Sequence, residues 1–264
     1  MLSRLLLAFF LVAVGVAFPA YALFQRGAPW SYQDRAGVLL SRVGEVELYS
    51  RVDDAVSGAA LEPGRWIAAG DELRVASFSR AVVRTPVAEY ELIDGTRGEF
   101  LGGGHLALAR GLALITVAPD ATATLRGPGG DLELQRGHYR VTANGDGLLA
   151  VLVEEGAARA SGVQASPGAM LVLRRGQEPE LAPRPTRVPL RASIDVTQGT
   201  LTGTTSRGAQ VYVDGKLLHA DATGAFTASL PPGDEPVVVF ARDLGGEVER
   251  SSVVRPTRSA GVRP

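Results

Sequence analysis

The sequence predicts an all-β protein in which two β-sandwiches follow an N-terminal apolar helix. The chain of 264 residues has 32 glycines and 16 prolines, a composition typical of many short strands joined by tight turns. Apolar residues recur at every second position or in short runs, and no convincing amphipathic helix of three turns follows residue 42. The motif Leu-x-Leu-x-Arg-Gly also occurs three times, and its alternating leucines place two side chains on one face of a strand.

Residues 1–24 are interpreted as a signal peptide or a membrane anchor. Leu5–Phe24 contains no charged residue, and as a helix it would be about 30 Å long, the thickness of a bilayer core. Arg4 provides a positive start, and Ala20–Ala22 has the small-x-small form of a cleavage site. We therefore expect an extracytoplasmic protein of the periplasm or cell envelope, either released after cleavage near Ala22 or anchored in the inner membrane by the apolar segment.

The first sandwich is predicted over residues 42–182, after a linker at 25–41 in which Ser31–Ser41 is the best helical candidate. Asp94-Gly95 is a signal for a hairpin turn. All three copies of the repeated motif lie in this region: Leu106–Gly111, Leu132–Gly137 and Leu171–Gly176. Their unequal spacing argues against a solenoid, so the leucines are predicted to be core residues and the glycines turns.

A proline-rich linker at residues 183–189 is predicted to separate the first sandwich from a second one at 190–255. The second region has short alternating segments with turn signals about every ten residues, and Asp214-Gly215 is its hairpin signal. Residues 256–264 are basic and lack apolar periodicity, so we expect a disordered tail.

Residues 42–182 resemble the FecR family of bacterial extracytoplasmic β domains. The resemblance rests on an ordered series of short phrases: Val43–Val46, Gly70–Leu73, Ile93–Thr96, Gly137–Val141, Val153–Gly156 and Ser166–Gly168. The sequence departs from the family where His138-Tyr139 replaces a Gly-Thr pair and where Val75-Ala76 replaces a common threonine. The resemblance implies a jelly-roll-like sandwich that contacts other envelope components.

The best-known role of that family is to relay the state of an outer-membrane receptor to a sigma factor. That role needs a cytoplasmic segment, and only Met1–Arg4 precede the apolar run, so we expect a signalling role only as an alternative in which another protein supplies the cytoplasmic part. Residues 190–255 resemble a bacterial immunoglobulin-like module, in phrases such as Ala209–Gly215 and Asp221–Phe226. This second resemblance implies a fold and little about function.

No catalytic, metal-binding or cofactor-binding constellation is predicted. The chain has no cysteine, and its three histidines are far apart in the sequence, without the spacing of metal ligands. The common serine hydrolase motifs are absent, and Gly102–Gly104 is not followed by the Lys-Ser/Thr of a phosphate loop. The formal net charge of −1 argues against nucleic acid as a partner.

We therefore expect a non-catalytic envelope protein that binds or scaffolds envelope proteins, with binding of cell-wall glycan or peptidoglycan as the alternative. Two sets of residues are candidates for its binding surface. Trp66 and Tyr139 would form a platform on which a sugar stacks. Arg110, Arg136 and Arg175 end the three repeated motifs and would form a basic row if the motifs stack.

Overall fold

The computed structural model describes residues 35–50, 61–145, 147–184, 189–195, 199–207, 209–221, 223–231, 233, 235–243 and 248–253. The described residues from Ala36 onward belong to one compact unit. Within the described ranges the regular structure is β-strand apart from a 3-10 turn at Gly102–Gly104, which confirms the predicted all-β class. No helix in these ranges is long and apolar enough to cross a bilayer. The predicted apolar helix of residues 1–24 and the tail of residues 256–264 lie outside them.

Two groups of strands are distinguished by their pairing. The first group, which we call the large sandwich, consists of β1 Arg35–Val43, β2 Val46–Tyr49, β3 Trp66–Ala68, β4 Glu72–Val75, β5 Arg80–Arg84, β6 Ala88–Phe100, β7 Leu106–Val117, β8 Ala123–Gly127, β9 Gly130–Leu134, β10 Gly137–Asn144, β11 Leu148–Glu155, β12 Ala158–Ala160, β13 Val163–Ala165, β14 Ala169–Arg174 and β15 Glu180–Pro183. The second group, the small sandwich, consists of β16 Arg191–Asp195, β17 Thr200–Thr204, β18 Gln210–Val213, β19 Lys216–His219, β20 Ala225–Ser229, β21 Val237–Arg242 and β22 Val248–Val253.

The long strands β6 and β7 are shared by both layers of the large sandwich. The N-terminal part of β6 pairs with β5 and its C-terminal part with β4. Likewise, the N-terminal part of β7 pairs in parallel with β8, and its C-terminal part pairs antiparallel with β10. One layer therefore continues through β10, β11, β14 and β15, and the other through β8, β9, β12 and β13.

The core of the large sandwich lies between these layers. Every second side chain of a strand points into the core, so buried and less buried residues alternate along β4, β5 and β6. Tyr90 and Phe100, both on β6, pack edge to face with ring centroids 5.8 Å apart. Residues 148–153 of β11 are buried on both faces, as their continuous apolar run predicts.

The β6–β7 pair is interrupted by a bulge where the two layers diverge. Asp94, Gly95 and Thr96 lie opposite Gly111 alone, between the regular pairs that flank them. Asp94 and Gly95 have φ values of 39° and 66°, which aspartate and glycine tolerate better than other residues. The prediction of a hairpin turn at Asp94-Gly95 is therefore wrong, because the turn-forming dipeptide is used to kink a continuous strand.

The prediction that the leucines of the repeated motif are core residues is confirmed, since all six are at most 4% exposed. The prediction that the glycine of each motif lies in a turn is wrong for two of the three motifs. Gly176 lies in a turn, but Gly137 begins β10 and Gly111 occupies the bulge, although all three have positive φ. A Cβ on Gly111 would lie 2.4 Å from the Cα of Thr96, and one on Gly137 would lie 2.0 Å from the carbonyl oxygen of Glu155. Close approach of a neighbouring strand requires glycine at these two positions.

The predicted linker and helix before the first sandwich are wrong for residues 35–41. These residues belong to β1, which pairs with β5 and β3. Ala36 and Leu39 on this strand are almost fully buried in the core, and such burial outweighs a weak local helical preference. At the other end, β15 reaches Pro183 and β16 begins at Arg191, and the domain boundary at residues 183–189 stays a prediction.

The small sandwich has two sheets, ordered β16-β17-β20 and β19-β18-β21-β22. Its core is formed by Leu201, Val211, Phe226, Val239 and other buried apolar residues. The hairpin predicted at Asp214-Gly215 is confirmed, because Val213 pairs directly with Lys216 and the two turn residues have φ values of 46° and 81°.

Candidate functional site

An aromatic pair on the small sandwich faces away from that sandwich's own core. Val211 and Val213 fill the core, so the alternation of β18 directs Tyr212 to the opposite face. Its ring stacks on Phe240 of β21, with centroids 4.3 Å apart and planes 10° apart. Tyr212 is nevertheless only 1% exposed, and Phe78 of the large sandwich lies 5.2 Å from its ring. This face is the docking face between the two sandwiches.

Four residues, which we call the Asp94 cluster, connect the sandwiches by polar contacts. The Tyr212 hydroxyl donates to Oδ2 of Asp94 over 2.6 Å, and Nη1 of Arg242 lies 3.2 Å from the same oxygen. Nε2 of Gln210 donates to the main-chain carbonyl of Asp94 over 2.7 Å. Asp94 is only 6% exposed. The kinked backbone of the bulge therefore presents both a carboxylate and a carbonyl to the small sandwich.

The chemistry of Tyr212 fits its role as a donor. Burial, followed by the hydrogen bond to Asp94 and the charge of that carboxylate, raises the pKa of the Tyr212 hydroxyl above its ordinary value. The hydroxyl consequently keeps its proton at neutral pH. The neutral Tyr212 hydroxyl and the Arg242 guanidinium both contact the Asp94 carboxylate. Hydrogen bonds to a charged acceptor are stronger than those between neutral groups.

A cavity of about 360 Å³ lies beside the Asp94 cluster, between the two sandwiches. Its wall on the large sandwich includes Glu45, Glu47, Arg74 and Arg110, and its wall on the small sandwich includes His219. Gly95 of the bulge also lines it, so the kink that positions Asp94 shapes this cavity as well. The cavity falls in the size range typical of small-molecule sites.

Two of the four charged residues are already engaged. Arg74 bonds Glu72 over 2.5 Å and lies 3.6 Å above the ring centre of Tyr49, and Glu47 accepts a 2.5 Å hydrogen bond from the hydroxyl of that tyrosine. By contrast, Arg110 and Glu45 form no side-chain ion pair with any residue that the structure describes. Within the described part of the chain, both groups are therefore available to a ligand.

His219 contributes a neutral polar group to the cavity. Burial, and secondly the charge of Arg110, lowers the pKa of its imidazole below the ordinary value. Its Nε2 atom is buried and has no hydrogen-bond partner among the described residues. An imidazole nitrogen in that state can donate to or accept from a bound molecule, depending on its tautomer.

The three motif arginines do not form one row. Arg110 lines the cavity, and Arg175 lies in the turn after β14, beside Gly147. Arg136 precedes β10, which runs antiparallel to β7, so it lies at the far end of the sheet from Arg110, on the order of 20 Å away. Arg175 follows β14, which ends at the same end of the sheet as Arg110, but β10 and β11 lie between β14 and β7.

The proposed platform of Trp66 and Tyr139 is wrong for Tyr139. That residue is 1% exposed, and its hydroxyl lies 2.6 Å from the carbonyl oxygen of Gln135 and accepts the N–H of Ala157 over 3.1 Å. Tyr139 therefore ties two loops together and cannot meet a sugar. Trp66 is 50% exposed at the start of β3 and stays a candidate surface residue.

Within the described ranges, no group of three or more histidine, aspartate or glutamate residues is arranged to hold a metal ion. His105 is used structurally, since its Nδ1 accepts the main-chain N–H of Thr124 over 3.0 Å. His138 is exposed and lies 3.1 Å from the hydroxyl of Thr116. The expected absence of metals and cofactors stays a prediction.

Sequence reasoning missed the Asp94 cluster and the contribution of His219 to the cavity. One signal was available: Tyr212 and Phe240 are aromatic at the outward positions of strands whose other positions fill the core. An outward aromatic pair on neighbouring strands indicates a covered face. The sequence does not reveal the partner of that face, because the Asp94-Gly95 dipeptide predicts a hairpin turn at this position.

Comparison with known proteins gives one finding at the level of structure. The chain matches no protein-family model and no curated protein. It is similar to two crystal structures of a protein described as a candidate anti-sigma factor from Parabacteroides distasonis, with 21% and 19% sequence identity and TM-scores of 0.36 and 0.37. The similarity covers 42% of this chain and 59% of the matched chains, well short of their full length.

Proposed function

We propose that this chain is a non-catalytic protein of the bacterial cell envelope that binds a protein partner outside the cytoplasm and presents its two sandwiches to that partner in a fixed orientation. The Asp94 cluster is the observation that carries the proposal. The FecR-like and immunoglobulin-like resemblances agree with a binding role, and the apolar segment Leu5–Phe24 agrees with export.

The Asp94 cluster favours a fixed orientation because its geometry is demanding. A buried carboxylate is costly unless its partners are well placed, and here the partners come from two strands of the other sandwich. A tether between independent modules would need no such contact. A surface formed by both sandwiches is therefore a defined shape that a partner can recognise.

The test is capture of the partner by the full chain in envelope membranes of the source bacterium. Photo-activated cross-linkers at exposed positions of both sandwiches, followed by mass spectrometry, would identify a protein captured from each side. We expect Asp94→Ala to weaken capture, because it releases the fixed orientation. Asp131→Ala is the matched control, since Asp131 is an exposed aspartate whose ion pair with Arg126 lies within the large sandwich.

Two outcomes would contradict the proposal. Capture that is unchanged in Asp94→Ala would show that the orientation is irrelevant to binding. Turnover in a broad screen of hydrolase and transferase substrates, abolished by Arg110→Gln or His219→Gln, would show that the cavity is catalytic.

A further inference from the structure

We infer that the cavity between the two sandwiches binds a small zwitterion, a molecule with one carboxylate and one ammonium group, such as a short peptide. The inference goes beyond the proposed function, because it concerns a small molecule and needs no protein partner. It rests on the charges, the unpaired groups and the size of the cavity beside the Asp94 cluster.

The available charges of the cavity have opposite signs. The Arg110 guanidinium can hold a carboxylate through two parallel N–H···O bonds, a geometry that a guanidinium provides and a single ammonium does not. Glu45 can accept hydrogen bonds from an ammonium group. Neither residue has an ion-pair partner within the described part of the chain.

The formal charge of the lining is balanced. Glu45 and Glu47 contribute two negative charges, and Arg74 and Arg110 contribute two positive charges. A simple anion would use Arg110 alone and a simple cation Glu45 alone, whereas a zwitterion can contact both. A zwitterion leaves the balance intact and uses both free groups.

The rest of the cavity wall can contact the part of a zwitterion that lies between its two charged ends. The side chains of Leu217 and Val75 provide apolar contact, and Nε2 of His219 is a buried polar atom without a described partner. A buried polar atom without a partner is unfavourable, and a peptide amide of the ligand would supply the missing hydrogen bond. The cavity volume of about 360 Å³ admits a molecule of a few residues.

The test is isothermal titration of the full chain, in mild detergent, with the dipeptide Ala-Ala and with its N-acetylated and C-amidated forms. We expect saturable binding of Ala-Ala at millimolar concentrations or below. Blocking either end removes one charge-assisted contact and should weaken binding at least about tenfold. Absence of binding by Ala-Ala, or equal binding of the blocked forms, would overturn the inference.

Two substitutions at exposed residues locate the site, and a third is their control. Arg110→Gln and Glu45→Gln should each weaken binding of Ala-Ala at least about tenfold. Arg136→Gln is the matched control, because Arg136 ends another copy of the same motif and lies away from the cavity. An equal loss in Arg136→Gln, or no loss in Arg110→Gln, would overturn the assignment. Circular dichroism of each variant establishes that it is folded.

Discussion

Tyr212 of the small sandwich donates a 2.6 Å hydrogen bond to Asp94, which lies in the bulge of β6, 118 positions earlier in the chain. The same bulge is the point where the two layers of the large sandwich diverge. One local irregularity thus shapes the large sandwich, positions the small one and forms part of the cavity wall.

Removal of the Tyr212 hydroxyl is expected to destabilise the protein. In Tyr212→Phe, Oδ2 of Asp94 loses its short donor while the carboxylate stays buried, at a cost of about 1–3 kcal/mol in the free energy of unfolding. Urea denaturation measures this cost. Tyr49→Phe is the control, since its hydroxyl binds Glu47 on the same strand in a part-buried setting, and we expect a smaller effect. A larger loss in Tyr49→Phe would contradict the importance assigned to the Asp94 cluster.

The three motif glycines should respond unequally to alanine. Gly176→Ala introduces a Cβ into open space and should cost about 1–2 kcal/mol for its positive φ alone. Gly111→Ala and Gly137→Ala add a clash with the neighbouring strand, which should raise the cost by a further 1–3 kcal/mol, roughly. Thermal unfolding of the three variants gives the order. An equal loss in all three would show that the motif glycines are merely turn residues.

Protonation of His219 should destabilise the folded protein. Burial lowers its pKa below the unfolded value of 6.5, so the unfolded chain binds the proton more readily. The contribution of His219 is present above pH 6.5 and is lost as the pH falls through its folded-state pKa. The free energy of unfolding, measured from pH 7 downward, should fall less steeply in His219→Gln than in the wild type. The same change at exposed His138 provides the comparison, and identical slopes in both variants would refute the prediction.

The charge of Arg110 should be detectable at His219. Because this guanidinium on the large sandwich helps to lower the pKa of His219 on the small one, Arg110→Gln should raise that pKa toward its ordinary value. An NMR titration of the imidazole measures the change. Arg136→Gln should leave the His219 titration unchanged. No shift in Arg110→Gln would mean that the two side chains are farther apart in solution than in the structure.

The glycan alternative now depends on Trp66 without Tyr139. Trp66→Ala should leave stability nearly unchanged, since half of this side chain is exposed. Tyr139→Phe should instead cost stability, because the hydroxyl bridges the main chain at Gln135 and Ala157. Any effect of Tyr139→Phe on glycan binding would accordingly be indirect.

Elements that depend only on neighbouring residues can be predicted from the amino-acid sequence. Alternation placed the six motif leucines in the core, and the Asp214-Gly215 dipeptide located a two-residue hairpin. These inferences succeeded because strand periodicity and turn conformation are local properties. The same reasoning failed at Asp94-Gly95, where an identical dipeptide kinks a strand, since the outcome depends on which strands pair on either side.

Which distant side chains contact each other depends on how the strands and sandwiches pack. Arg110, Arg136 and Arg175 share one sequence context, yet of the three only Arg110 lines the cavity. Strand direction places Arg136 at the opposite end of the sheet, and two strands lie between Arg110 and Arg175. Tyr139 is interior because its side chain lies on the face of β10 that packs into the core, whereas the adjacent His138 lies on the exposed face. Asp94 and Tyr212 meet because two sandwiches dock, and docking depends on surfaces assembled from distant parts of the chain. Contacts of that kind have no local pattern from which they could be read.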